Sequence, residues 1–389
     1  FAARAARYES PDPTMIDIHH ERLRTLGLTP ALADRAARAA TEHAAASPDS
    51  PPLELLRLTE VHRDAVRLHD GADELTARVL PRLTRALAAE GAMLAVGDWL
   101  LAATDAHGQI WVHARVPPRT HINRRDADGR RHTVVANVDT ALLVMGLDDD
   151  FNPRRLERYL ALVQASANGG GISAIAPAVV LTKADVIAKV PGLLAERIEA
   201  LCGRVPASID LFAIDGTDPH TVQQLQACLG AGQTLVVLGS SGAGKSTLTN
   251  TLLGRATQDT GAVRAHDSRG KHTTTSRSLH RLPGGACIID TPGLRALRPD
   301  VDEATLAAAF GDIETLAGQC RFRDCRHVDE PGCAVRAGVP ADRVKNHHKL
   351  LREARRDTMS VLERQQQVAV WKARGRAGRD RLKHKRDEA

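Results

Sequence analysis

The pattern of apolar and polar positions changes twice along the chain. Between residues 53 and 137, short segments alternate apolar and polar positions, and turns such as Asp70-Gly71 separate them. These segments are 56–61, 64–69, 75–79, 99–103, 109–116 and 133–136. A period of two over such lengths predicts a small all-β barrel, and an OB-fold is the natural candidate at this size. An SH3-like barrel, or a barrel with only a packing role, would leave the same pattern.

From Val138 the pattern becomes one of buried strands and amphipathic helices. Apolar runs predict strands at 140–145, 176–181, 209–214, 234–238 and 287–289. Helical spacing predicts helices at 153–165, 193–202 and 220–229. Strands that alternate with helices indicate a parallel sheet covered on both faces. Beyond residue 300 the chain is predicted to be helical, with one or two helices over 341–370.

Domain limits follow from these changes. Residues 1–52 are rich in Ala, Arg, Asp and Pro, and we expect a poorly ordered extension that contains at most a short helix at 31–46. A barrel at 53–137, an α/β domain at 138–300 and a helical domain at 301–370 come next. Residues 371–389 form a basic tail.

Composition and charge narrow the class of protein. Hydrophobic residues make up 43% of the 389 positions, which is enough for real cores, and the net charge is +6. From Arg352 to Ala389, twelve Lys and Arg accompany six Asp and Glu, so the net charge of this segment equals the net charge of the whole chain. A polyanionic partner is therefore expected. No apolar run approaches a membrane span and no signal peptide is visible, which predicts a cytoplasmic protein without membrane contact.

The tail has the residues that RNA phosphates require. If it extends along a strand, its cations are spaced to reach successive phosphates, and Gly375 and Gly378 disfavour a helix before binding. The candidate RNA-binding residues are Lys372, Arg374, Arg376, Arg379, Arg381, Lys383, Lys385 and Arg386. The alternative is a solvated charge run without function.

The strongest chemical signal is a glycine-rich loop between a predicted strand and a helix. It matches the P-loop pattern G-x-x-x-x-G-K-[ST]. Its members are Gly239, Ser240, Ser241, Gly242, Ala243, Gly244, Lys245, Ser246 and Thr247. Inward backbone N–H groups and a helix N-terminus can hold phosphate oxygens, Lys245 can reach the β- and γ-phosphates, and Ser246 can ligate Mg²⁺. The alternative is a glycine-rich turn without a ligand.

A second motif, Thr182-Lys183-Ala184-Asp185, resembles the base-reading motif of GTPases, [NT]-K-x-D. A carboxylate at Asp185 can accept from the N1–H and N2–H₂ donors of guanine, and the Lys183 stem can lie across the base. Thr182 stands where Asn is commonest, which we expect to remove one tether to the P-loop. The alternative is a strand end followed by an Asp at a helix start.

Two further stretches predict Mg²⁺ and γ-phosphate contacts. Asp290 ends a buried strand and can hold Mg²⁺ through water, and Gly293 can donate its N–H to the γ-phosphate. In the loop 271–276, a Thr hydroxyl can complete the Mg²⁺ shell when GTP is bound. We assign that role to Thr274, although spacing does not separate it from Thr273 and Thr275. The alternatives are a Pro-Gly turn and a polar surface loop.

The order of the motifs is unusual, because the base reader precedes the P-loop. The same strands can still assemble one site, so the domain is predicted to be circularly permuted. A separate cluster follows it, Cys320-x₄-Cys325-x-His327-x₅-Cys333. Three thiolates and an imidazole suit a closed tetrahedral Zn²⁺ site, with a redox pair or free thiols as the alternative.

With these motifs in this order, the chain resembles the ribosome-small-subunit-dependent GTPase family, RsgA (also called YjeQ). The resemblance covers about residues 53 to 350 and includes Val96-Gly97-Asp98-Trp99 and Cys320-Arg321-Phe322-Arg323-Asp324-Cys325-Arg326-His327. It implies an N-terminal OB-fold, a permuted GTPase domain and a C-terminal zinc domain.

The resemblance also implies function. It implies GTP hydrolysis to GDP that is stimulated by the small ribosomal subunit, a role in late maturation of that subunit, and contact with its 16S rRNA. His272 is suggested as the residue that positions the attacking water, and Lys245 and Ser246 complete the catalytic set. Phe212-Ala213 stands where the family has Ser-Ala, but the Ala213 N–H can still serve the guanine. We expect a monomer. The competing classes are an RNA-binding factor whose nucleotide is only structural, and a P-loop ATPase.

Overall fold

The computed structural model describes residues 16–125, 131–166, 174–254, 277–291, 298–299 and 303–358. The chain divides between Pro299 and Asp300 into two compact units, which are treated separately below. Among the helices so described, none combines the length and the apolarity that crossing a membrane requires.

The N-terminal segment contains two helices, α1 His20–Arg24 and α2 Pro30–Ala46. The Thr29 hydroxyl accepts from the Leu32 N–H at 3.3 Å, and Pro30 begins α2, a combination that favours helix initiation. Leu32, Ala36 and Ala40 form a buried stripe on α2. The expectation of a poorly ordered extension therefore does not hold for residues 16–52, because small alanines let the helix pack closely. Residues 1–15 lie outside the described residues.

Five strands and one helix form the barrel. They are β1 Glu54–Val61, β2 Val66–His69, β3 Glu74–Val79, α3 Pro81–Ala89, β4 Trp99–Thr104 and β5 Ile110–Arg115. The strand order is β1-β2-β3-β5-β4, and β4 closes the barrel by pairing with β1. Only β3 and β5 run parallel, with α3 following β3. This is the arrangement of an OB-like barrel, and it distinguishes the barrel from an SH3-like one.

A two-stranded hairpin leads from the barrel into the α/β domain. It comprises β6 His121–Arg125 and β7 Arg131–Ala136. The strand predicted at 133–136 as part of the barrel is β7, and it pairs with β6 in a separate sheet instead. Six strands then form the sheet of that domain: β8 Thr140–Gly146, β9 Ala176–Thr182, β10 Leu211–Ala213, β11 Thr234–Gly239, β12 Ser278–Arg281 and β13 Cys287–Asp290. Its helices are α4 Pro153–Ala165, α5 Ala184–Ile187, α6 Leu193–Glu199, α7 Thr221–Gln224 and α8 Lys245–Leu253, with a 3₁₀ turn Gln226–Cys228. The short strand β14 Arg298–Pro299 returns to pair with β6.

The spatial order of the sheet is β10-β9-β8-β11-β13-β12. The first five strands are parallel and β12 is antiparallel to β13. Every residue of β8 and β11 is buried, as expected where helices cover both faces of a parallel sheet. Successive strands lie on one side of β8 up to β10 and on its other side from β11 onward. Such a reversal in the order of strands is a switch point, and ligands of open α/β sheets bind there, beyond the carboxyl ends of the strands.

One buried arginine forms hydrogen bonds to several parts of the first unit. Arg57 in β1 is fully buried and donates to the carbonyl of Leu26, to the carbonyl of Asn137 at 3.0 Å and to the Thr234 hydroxyl at 3.2 Å. Its guanidinium also lies 4.9 Å from the ring centre of Trp99. Burial lowers the pKa of Arg57, and the carbonyls compensate for its lost hydration. The N-terminal segment, the barrel and β11 are therefore held at one point.

The second unit is helical in its described part. It comprises α9 Glu303–Ala309, α10 Gly311–Ala317, α11 Ala334–Gly338 and α12 Ala341–Thr358. Arg343 packs its guanidinium 4.8 Å from the Phe310 ring and forms a bidentate pair with Asp312, at 2.9 and 2.7 Å. The helix predicted at 341–370 is present to Thr358, and residues 359–389, with the basic tail, lie outside the described residues.

Candidate functional site

The P-loop lies at the switch point of the sheet. Gly239 ends β11 so close to β8 that an added Cβ would lie 2.3 Å from the carbonyl oxygen of Val144. Gly244 has φ +86° and directly precedes α8, so the chain turns into the helix in a conformation that favours glycine. Lys245 begins α8, is buried, and donates from Nζ to the Ser240 carbonyl at 2.6 Å. The strand, the loop and the helix N-terminus thus have the arrangement that binds phosphate.

The base-reading motif is attached to the P-loop by two side-chain hydrogen bonds. The Thr182 hydroxyl donates to the Ala243 carbonyl at 2.7 Å, and Lys183 Nζ donates to the Gly242 carbonyl at 2.8 Å. Thr182 therefore keeps one hydrogen bond to the P-loop, through its hydroxyl. Asp185 is exposed in the first turn of α5, at the same edge of the sheet. Segments about 60 residues apart are joined into one site.

The loop that the family resemblance assigns to guanine support follows β10, the neighbour of β9. Ala213 is in register with Leu181, and the Ile214 carbonyl accepts from the Ala184 N–H at 3.1 Å. The Thr251 hydroxyl of α8 donates to the Gly216 carbonyl at 2.7 Å. The loop is thereby fixed to both the base reader and the P-loop helix, although Phe212 replaces the expected Ser.

Asp290 lies at the carboxyl end of β13, in register with Val237 of the P-loop strand. The residue is fully buried, and the adjacent Thr291 hydroxyl donates to the Val237 carbonyl at 2.6 Å. Hydroxyl and carboxylate oxygens are the ligands that Mg²⁺ prefers, so Ser246 and Asp290 fit that ion. His272, Thr274 and Gly293 lie outside the described residues, so their roles remain predictions.

An acidic loop that sequence reasoning missed also lies at this edge. Asp148 and Asp150 follow β8, and their carboxylates accept from Lys183 Nζ at 2.7 Å and from the Ser240 hydroxyl at 2.6 Å. The signal was present as Asp148-Asp149-Asp150 directly after a buried strand, but such a run is usually a solvated turn. Its partners become neighbours only when the sheet forms.

The structure brings the four candidate metal ligands of the second unit together. One ligand atom from each of Cys320, Cys325, His327 and Cys333 lies within 4.8 Å of all the others. His327 Nδ1 is 3.7 Å from Cys320 Sγ and 3.4 Å from Cys333 Sγ, and those two sulfurs are 3.9 Å apart. Two thiolates about 2.3 Å from a tetrahedral ion would be ~3.8 Å apart. The donor set and the spacing therefore suit a metal ion.

The first unit is thus a permuted P-loop nucleotide-binding domain behind an OB-like barrel. The family model for the RsgA GTPase matches residues 116–299. The chain is 47% identical over 316 residues to the small ribosomal subunit biogenesis GTPase RsgA of Xanthomonas campestris pv. campestris (strain B100), with 79% of this chain and 81% of that protein covered. Its counterpart in Xanthomonas oryzae pv. oryzae (strain MAFF 311018) gives the same identity and coverage.

Solved structures agree with the fold. The crystal structure of YjeQ from Thermotoga maritima gives a TM-score of 0.54 at 19% identity, over 77% of this chain and 98% of that one. YloQ, described as a circularly permuted GTPase, gives 0.53 at 19% identity, over 79% and 97%. The chain belongs to the RsgA GTPase family, and the resemblance and fold class inferred from the sequence are confirmed.

Proposed function

We propose that this protein hydrolyses GTP to GDP and phosphate, binds the small ribosomal subunit and acts in late maturation of that subunit. The family membership supports this, since the curated relatives are named as small ribosomal subunit biogenesis GTPases. The observation that carries it is the bonding of the base reader to the P-loop, with Lys183 Nζ 2.8 Å from the Gly242 carbonyl. That contact supports the proposal, because it joins residues 182–185 to the P-loop at one edge of the sheet.

Each residue of the proposed site has its own part in this reaction. Asp185 accepts from the N1–H and N2–H₂ groups of guanine, and the Lys183 stem lies along the base. P-loop N–H groups and Lys245 bind the phosphates, and Lys245 does so by leaving the Ser240 carbonyl. Mg²⁺, held by Ser246, Asp290 and Thr274, would neutralise charge on the phosphate oxygens. His272 orients the attacking water, in keeping with the family resemblance.

The four ligands of the second unit hold one structural Zn²⁺, because three thiolates and one imidazole form a closed set without an open position for substrate. The basic tail contacts 16S rRNA. The protein acts in the cytoplasm, where ribosomal subunits are assembled. We retain domain limits of 53–137, 138–300 and 301–370, and a monomeric state, as part of the proposal.

The deciding experiment measures nucleotide turnover with and without purified small subunits, together with competition of ATP against GTP for binding. We expect GTP to bind in preference to ATP and subunits to increase turnover. Preference for ATP would instead identify a P-loop ATPase. GTP binding without turnover, even with subunits present, would identify an RNA-binding factor with a structural nucleotide.

Truncation after Trp371 tests the tail. The shortened protein should keep its intrinsic GTP hydrolysis, because the P-loop and base reader lie far earlier in the chain. It should bind small subunits more weakly and with a flatter dependence on salt, since fewer counterions are released. Unchanged affinity and unchanged salt dependence would exclude the tail from the RNA interface.

A further inference from the structure

The loop between β8 and α4 carries three consecutive carboxylates, and two of them contact opposite halves of the nucleotide site. Asp148 contacts the base reader and Asp150 contacts the P-loop, whereas Asp149 between them is exposed. No ligand role at the nucleotide is needed to explain these contacts, because both carboxylates bind protein groups. Their effect must therefore pass through the residues that they hold.

Asp148 holds the end of the base-stacking lysine. Lys183 Nζ lies 2.7 Å from Asp148 Oδ2 and 2.8 Å from the Gly242 carbonyl, so two acceptors fix the ammonium group. Burial acts to raise the pKa of Asp148, but the hydrogen bond from Lys183 and other donors lowers it overall, so the group is ionised at neutral pH. Arg197 anchors the loop by donating to the Asp148 carbonyl at 2.9 Å while lying 4.7 Å from the Phe151 ring centre.

Asp150 holds the second residue of the P-loop. The Ser240 hydroxyl lies 2.6 and 2.7 Å from its two carboxylate oxygens, and Ser240 is only 8% exposed. The Gly146 N–H donates to the same carboxylate at 3.1 Å and Arg155 pairs with it at 2.6 Å. The carboxylate thus accepts from three protein donors, which fixes its position and that of Ser240.

We propose that Asp148 and Asp150 are positioning residues for GTP. Asp148 sets the Lys183 stem across the guanine, and Asp150 sets the path of the P-loop around the phosphates. The inference rests on the proposed function, since it requires that GTP binds at this edge. The physical basis is preorganisation: a side chain that is already held in place loses less freedom when the nucleotide binds.

The test is a set of double-mutant cycles read by nucleotide affinity. Asp148→Ala should weaken GTP and GDP binding about fivefold, and Asp150→Ala about tenfold, as for charge-assisted bonds that are partly exposed. If Asp148 acts through Lys183, Asp148→Ala should have little further effect in a Lys183→Ala background. Asp150→Ala should likewise have little further effect with Ser240→Ala, whereas Asp148→Ala and Ser240→Ala should be additive.

A kinetic readout separates positioning from damage to the fold. Loss of binding that is contributed equally to substrate and transition state raises KM and leaves kcat unchanged, so both alanine variants should show a raised KM at the parent's kcat. Asp148→Asn and Asp150→Asn keep the shape and one acceptor oxygen, and they should recover part of the affinity. Asp149→Ala is the matched control, because it removes the same charge from the same loop at an exposed position.

The outcomes distinguish this inference from the proposed function. If the parent protein does not bind GTP in preference to ATP, the proposed function fails. If the parent binds GTP, and Asp148→Ala and Asp150→Ala bind it as the Asp149→Ala control does, only the positioning inference fails. Additive effects of Asp148→Ala and Lys183→Ala, or an equal loss in Asp149→Ala, would also overturn it.

Discussion

The nucleotide site and the cysteine cluster are assembled in opposite ways. The nucleotide site takes its residues from the ends of β8, β9, β10, β11 and β13, between Gly146 and Thr291. The cluster takes all four ligands from a stretch of fourteen residues, Cys320 to Cys333, which lies between α10 and α11. Hydrogen bonds between distant segments hold the first site, whereas thiol and imidazole groups converge from one irregular segment in the second.

This difference predicts different dependence on ligands. The strands that carry the nucleotide site are buried in a hydrophobic core, so the described part of the site is formed before GTP arrives. The cluster segment has no helix or strand of its own, and binding free energy of a metal ion can supply its folding free energy. Loss of metal should therefore disrupt the second site much more than loss of GTP disrupts the first.

The largest effect is expected for Cys333→Ser. Removing one of four ligands should abolish stoichiometric zinc and lower the free energy of unfolding of the second unit by several kcal/mol. GTP affinity should stay within about twofold, because the residues that bind GTP belong to the first unit. Metal analysis, calorimetry and nucleotide titration measure the three quantities. Cys202→Ser, at an exposed cysteine outside the cluster, is the control. Zinc retained at one per chain would contradict the assignment.

The next effect is expected for Ser246→Ala in the nucleotide site. Loss of a Mg²⁺ ligand should lower kcat for GTP about a hundredfold, equal to about 2.7 kcal/mol, without unfolding the domain. Ser246→Thr keeps the hydroxyl and should retain most of the activity. Turnover by Ser246→Ala that equals the parent's at limiting Mg²⁺ would remove Ser246 from the metal site.

A smaller and more selective effect is expected for Asp185→Asn. The amide reverses the donor pattern that guanine meets, so GTP binding should weaken about thirtyfold, or ~2 kcal/mol, while xanthosine triphosphate binds better. Competition titration with the two nucleotides measures the change, and the exposed Asp149→Asn serves as the control. Equal GTP affinity in Asp185→Asn and the parent would show that Asp185 does not read the base.

The sequence was sufficient where one strong local pattern decides the structure. The apolar run of β8, the helical spacing of α4 and the glycine spacing of the P-loop all predicted the observed elements. The strands β6 and β12 were missed, because His121-Ile122-Asn123-Arg124-Arg125 and Ser278-Leu279-His280-Arg281 are short and polar. Pairing with neighbouring strands, rather than intrinsic propensity, makes them strands.

Contacts between distant segments were the least predictable part of the site. The partners of Asp148 and Asp150 lie 35 and 90 residues away, at Lys183 and Ser240. The buried stripe of α2 was missed for a related reason, since an alanine-rich helix has a weak apolar pattern until a surface packs against it. The residues that carry the chemistry could therefore be predicted from the sequence, whereas the hydrogen bonds that position them could be found only in the folded structure.

The last predicted effect concerns acid and the second unit. His347 in α12 is 4% exposed, packs 5.0 Å from the Phe310 ring centre, and has no hydrogen-bond partner on either ring nitrogen among the described residues. Burial, with nearby His348, His327 and Arg343, lowers the pKa of His347 to about 4, whereas an unfolded His has a pKa of about 6.5. Between these pH values the unfolded chain binds the additional proton. The stability due to neutral His347 is therefore complete above the unfolded pKa and is lost as pH falls through the folded pKa.

Substitution of His347 by Phe isolates this contribution. Phe keeps the aromatic packing and removes two buried polar atoms, so stability at pH 7.5 should be unchanged or higher by about 1 kcal/mol. Between pH 6.5 and 4 the parent should lose on the order of 2 kcal/mol more than His347→Phe. The metal ligands also take up protons in acid, but they do so in both proteins, and the difference between parent and variant at each pH cancels that loss. Hydrogen exchange in peptides from 303–358 measures this difference in stability. Parallel pH profiles for the two proteins would show that His347 takes up its proton at the same pH in the folded unit as in the unfolded chain, and the acid sensitivity would then come from other groups.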